Sequence, residues 1–126
     1  MTTVRTQLSP HSKYDALRSD YATGAAALAL SVTAIKITRI MSVTLHLNAA
    51  PTTSENLTAT LDSNLGAAYD TLLYSFDLAN SSVTDIVLTA EDLGIEYLFV
   101  GDQIDIAYTN TDTVTYGIEV RTLEME

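Results

Sequence analysis

Only two histidines, His11 and His46, could act as general bases near neutral pH. Neither stands at a spacing from a serine or an acid that makes a nucleophile–base pair. His11 follows Pro10 in a polar leader, and His46 falls on the polar side of a long alternating segment, so both read as ordinary surface residues. The chain has no cysteine, which excludes disulfides, thiolate catalysis and cysteine-held metals. Oxygen donors are more abundant: Asp102 and Asp105 flank a turn and a strand, and Asn110 and Asp112 form the next turn. A calcium ion needs about six to eight converging oxygens. No regular calcium-loop run of alternating acids closed by glycine is present, and Asp and Asn are also the usual turn formers. No carboxylate pair stands out for glycoside hydrolysis, and there is no tryptophan to stack a sugar. The expectation is a non-enzymatic chain with no catalytic residue, metal or cofactor.

Seven tyrosines remain. Tyr69, Tyr74, Tyr97, Tyr108 and Tyr116 fall in strand-like segments, where tyrosine fits a half-buried pleated surface. Tyr14 and Tyr21 lie in the leader, which has no core of its own, and aromatics there are typical interface anchors.

The elements that must hold these residues are mostly strands. From Ala34 to Asn48 the pattern alternates, with Ile35, Ile37, Met41, Val43, Leu45 and Leu47 on one face. That is the strongest strand signal in the chain. Arg39 and Ile40 break the alternation and predict a bulge or change of sheet near residues 39–40. Shorter strands are predicted at Leu57–Leu61, Tyr69–Phe76, Val83–Thr89, Tyr97–Val100, Gln103–Thr109 and Val114–Leu123, each bounded by turn residues. Ala90–Gly94 reads as a loop or one helical turn. Short strands with tight turns predict an all-β antiparallel sandwich, jelly-roll-like, of about seven to eight strands.

The leader reads differently. Tyr14, Leu17, Arg18 and Tyr21 fall at i, i+3, i+4 and i+7, which predicts one or two turns of helix from about Lys13 to Tyr21. Charge divides the chain in the same place. Residues 1–39 hold five bases and two acids, net +3, whereas residues 40–126 hold one base and 14 acids, net −13. The acidic balance argues against nucleic acid and anionic membrane as partners. The longest apolar run, Ala25 to Ala34, is about half the length needed to span a bilayer. A basic leader, a short apolar run and small residues at Thr33 and Ala34 also match a secretory signal. Asp15, Asp20 and the alanine-rich run argue against that reading. The expected organisation is a partner-docking N-terminal arm, residues 1–33, and a β-sandwich domain, residues 34–126. In the arm, Arg5, Lys13 and Arg18 would meet acidic patches on a partner, with Tyr14, Leu17 and Tyr21 as apolar anchors. The run Ala25–Val32 would add a strand to a neighbouring sheet edge.

The runs from Ser42 to Thr58, Gly66 to Leu73, Gly101 to Asn110 and Tyr116 to Val120 resemble small β-sandwich virion proteins of tailed bacteriophages encoded near the capsid genes. The resemblance covers roughly residues 35–122 and carries no catalytic motif. It implies a capsid decoration (cement) protein on the capsid surface, bound to the major capsid protein or another virion protein and homo-oligomeric, with a trimer favoured. Two other readings stay open: a tail, fibre or baseplate structural module, and a β-sandwich that binds a host glycan.

Overall fold

The computed structural model describes residues 2–7, 16–80 and 82–125, with the backbone alone for residues 2–7 and Asn80. The chain runs through β1 (Thr2–Gln7), β2 (Ala16–Gly24), β3 (Leu28–Thr33), β4 (Thr38–Leu47), β5 (Asn56–Asp62) and β6 (Thr71–Asp77). It continues through β7 (Asp85–Thr89), the single helical turn α1 (Ala90–Leu93), β8 (Tyr97–Leu98), β9 (Gln103–Tyr108) and β10 (Tyr116–Glu124). One sheet has the order β1-β2-β10-β4-β7 with β8 also beside β4, and the other has the order β3-β9-β5-β6. All pairings are antiparallel. With β2-β10-β4-β7 facing β3-β9-β5-β6, the eight principal strands form a jelly roll, as the strand pattern predicts.

The core follows from alternation along each strand. Val43, Leu45 and Leu47 of β4 and Ile118 and Val120 of β10 point inward from one sheet. Leu30, Val32, Leu57, Ile104 and Ile106 meet them from the other. Side chains that alternate across a strand leave its two faces chemically distinct. The predicted break in β4 is a bulge: Ser42 pairs with Arg121 and Ile40 with Thr122, leaving Met41 as the extra residue. The bulge reverses the phase, so that Thr38 and Ile40 are buried whereas Ile35, Ile37 and Met41 are exposed. The first half of the alternating face predicted from Ile35 therefore lies outside the core.

The leader also departs from expectation. Residues 16–24 are a strand and not a helix, and β2 lies between β1 and β10. Arg18, Asp20 and Ala22 face inward. Two charged residues at inward positions hide the period of two that would have revealed a strand. The apolar run supplies β3, whose Leu28, Leu30 and Val32 are buried. This strand pairs with β9 of the same chain, so it does not serve here as an addition to a neighbour's sheet. Residues 16–33 thus form the first two strands of the jelly roll itself. The segment ahead of them holds β1, which lies against the edge of β2.

Candidate docking surface

Three loops meet at one end of the sandwich: residues 34–37 between β3 and β4, 63–70 between β5 and β6, and 99–102 between β8 and β9. A single residue joins them. Asp102 is buried, and its carboxylate accepts from the backbone N–H of Asn64 at 2.9 Å and of Phe99 at 3.0 Å. Its own carbonyl accepts from Ala34 N–H at 2.8 Å, and Gly101 N–H returns a 2.8 Å bond to Ala34 O. Gly101 has φ +90°, and a Cβ there would come within 2.6 Å of the Asn64 side chain, so only glycine fits this crossing. Because the loop backbones satisfy one another through Asp102, their side chains are left to face outward.

Those side chains are mostly apolar. Nine of the eleven large hydrophobic side chains exposed among the described residues belong to this end. Ile35, Ile37, Leu65, Tyr69, Phe99 and Val100 lie on the loops and Met41, Leu72 and Tyr97 on the adjoining strands. Leu65 is 74% and Phe99 66% exposed. Such a concentration of exposed apolar side chains at one end is what a binding surface leaves open to water. Lys36 stands between Ile35 and Ile37, and nearby Arg39 pairs with Glu96 at 2.9 Å.

The opposite end is polar, and among the described residues it exposes no large hydrophobic side chain. Its acids are held by loop donors. Asp112 accepts from the backbone N–H and hydroxyl of Thr53 at 2.9 and 2.7 Å and from the backbone N–H of Thr52 at 2.9 Å. These bonds, led by the Thr53 N–H, lower its pKa to about 2. Glu55 accepts from Thr111, and Asp77 from the Ser54 hydroxyl and the Ala79 N–H. The Ser54 bond is the main cause that lowers the Asp77 pKa. Burial, with Glu55, Asp112 and Asp77 adding to it, raises that of Tyr108. The oxygen donors weighed for calcium do not converge: Asp102 lies at one end of β9, and Asn110 and Asp112 lie beyond the other.

The anchors read from the sequence are dispersed. Arg18 is turned into the space between the sheets. Its Nε donates to Asp20 Oδ1 at 2.8 Å, Nη2 to Asp20 Oδ2 at 3.1 Å and Nη1 to Thr33 O at 2.8 Å. Glu124 lies 3.5 Å from Nη1. With all of its nitrogens engaged internally and 4% of the residue exposed, Arg18 offers no face to a partner. Leu17 and Tyr21 occupy the outer face of the six-stranded sheet, half-buried and exposed respectively. Arg5 belongs to β1, with its backbone opposite Asp20. Its side chain, like Lys13, Tyr14 and His11, lies outside the described residues.

Sequence reasoning missed two features. One is the apolar end itself, whose loops are separated by about thirty residues and meet only through the topology. The other is His46, whose Nδ1 lies 2.6 Å from Asp85 Oδ1. The β4–β7 register places these residues opposite each other, and the contact holds the Asp85 carboxyl below its usual range. Both side chains are exposed. Comparison with protein-family models, curated proteins and solved structures finds no match to this chain.

Proposed function

We propose that this chain is a non-enzymatic structural module that seats its apolar end on a larger assembly, as a decoration (cement) protein does on a bacteriophage capsid. The observation that carries this reading is the concentration of exposed apolar side chains on loops joined through Asp102, while the other end is polar. Exposed apolar residues gathered in this way mark an interaction surface, and placing them at one end gives the bound molecule a defined orientation. The acidic body then faces water, and its negative charge keeps many identical copies soluble when crowded on one shell. The resemblance to phage virion proteins supports the setting. So, by analogy, does the fold, since jelly rolls are common in viral capsids. On this reading the partner is the major capsid protein, the location is the capsid surface, and neighbouring copies form a trimer.

The test is titration of the purified chain onto empty capsids, with occupancy read after sedimentation. Wild type is expected to saturate. Leu65→Asp combined with Phe99→Asp should lower occupancy at least tenfold without loss of thermal stability, because both side chains are already exposed. Undiminished binding of that folded variant would refute the docking end, and wild-type binding to isolated tails in place of capsids would move the module to the tail or baseplate.

A further inference from the structure

Gly117 lies inside β10, where glycine is an unfavourable choice by about 0.5–1 kcal/mol relative to alanine. Nothing among the described residues requires it. Its backbone is not in the left-handed region, and a Cβ built there would meet no atom within 4 Å. The effect of the missing side chain is on the outside of the sheet. Gly117 lies opposite Thr23 on one side and His46 on the other, and it helps line a hollow of about 570 Å³ on the outer face of the six-stranded sheet. The hollow is shallow and open to solvent, and a glycine within a strand often marks the close approach of a ligand.

The rim indicates the ligand. Tyr21, 40% exposed, and Val87 offer apolar walls. On the far side stands the His46–Asp85 pair. Next along β10, Glu119 is held by the Ser19 hydroxyl at 2.6 Å and by Arg121 Nε at 2.9 Å. The hollow is mainly apolar, and its charged groups stand at the edge. It suits a hydrated ligand with an apolar side and paired hydroxyls. We propose that this hollow binds a neutral pyranose ring. The ring's C–H face would lie on Tyr21, where an aromatic surface takes up apolar contact. Its hydroxyls would donate to Asp85 and Glu119, whose ionised carboxylates only accept. The same two carboxylates would repel phosphorylated or sialylated sugars. This site is separate from the apolar end and stands whether or not that end docks on a capsid.

The full chain would be screened on an array of neutral and sialylated glycans. The best neutral binder would then be titrated by NMR, alongside sialyllactose. Saturable shifts at the Gly117, Tyr21 and His46 amides are expected with the neutral glycan and not with sialyllactose. Gly117→Leu, which fills the hollow from its floor, should weaken binding at least tenfold while the chain stays folded, since its side chain enters open space. Tyr21→Ala, a surface substitution, should weaken it at least fivefold and provides a second folded variant. The proposal is overturned if no neutral glycan binds, if sialyllactose binds more tightly, or if the shifts lie elsewhere. Full affinity in either folded variant would overturn it as well.

Discussion

Arg18 carries its charge into the space between two sheets, where an unpaired ion would be several kcal/mol unfavourable. It is tolerated because Asp20 meets two guanidinium nitrogens, Thr33 O accepts from a third, and Glu124 adds a second carboxylate. Arg18→Met removes from the interior the cation that Asp20 and Glu124 both approach. It should cost about 3–5 kcal/mol in urea unfolding, the scale measured when one partner of a buried pair is removed. Replacing Asp20 and Glu124 with Leu and Met in the same variant should recover most of that loss, because an apolar set of similar volume needs no counter-charge. In the sequence, Arg18 has the same character as Arg5 and Lys13, a base in a polar leader. Only its neighbours in space make it an interior residue.

At the scale of elements, Asp102 decides how three loops are held. Asp102→Ala would strip the Asn64 and Phe99 N–H groups of their acceptor, and because these donors are only partly buried the cost should fall at or below the low end of the ~1–3 kcal/mol for a fully buried one. The variant should unfold at lower urea, and hydrogen exchange should accelerate at Asn64 and Phe99 while the amides of β4 and β10 keep their relative protection. Of the strands flanking these loops, all but β3 were legible without the structure; β3 was read as an addition to a neighbour's sheet, whereas it pairs with β9 of its own chain. Those from β5 onward, together with β4 and its bulge, stand out because alternation and turn residues are local signals. β2 was not legible, because its inward positions carry an ion pair. The hub was not legible either: Asn64 and Asp102 are 38 positions apart, and nothing local links them.

For the whole molecule, the boundary between body and leader has consequences. β2 and β3 each contribute a strand to the jelly roll, one to each sheet. A chain lacking residues 2–15 should therefore still unfold cooperatively, with β2 becoming the sheet edge. A chain lacking residues 2–33 loses both strands, uncovers β10 and β9, and takes Arg18 away from Glu124. It should be unfolded by circular dichroism and by amide dispersion in NMR spectra. A cooperative, β-rich product of the longer deletion would contradict this account.

The amino-acid sequence by itself determined that this chain is an acidic, cysteine-free, all-β protein with a predominantly antiparallel strand pattern. Period-two alternation, turn chemistry and composition are properties of neighbouring residues. Tertiary structure alone decided where the body begins, that Arg18 is an interior ion, that the exposed apolar residues gather at one end, and that His46 meets Asp85 above the floor made by Gly117. Each of these depends on register and on which loops share an end, and those follow from strand order in two sheets, which no local window of sequence contains.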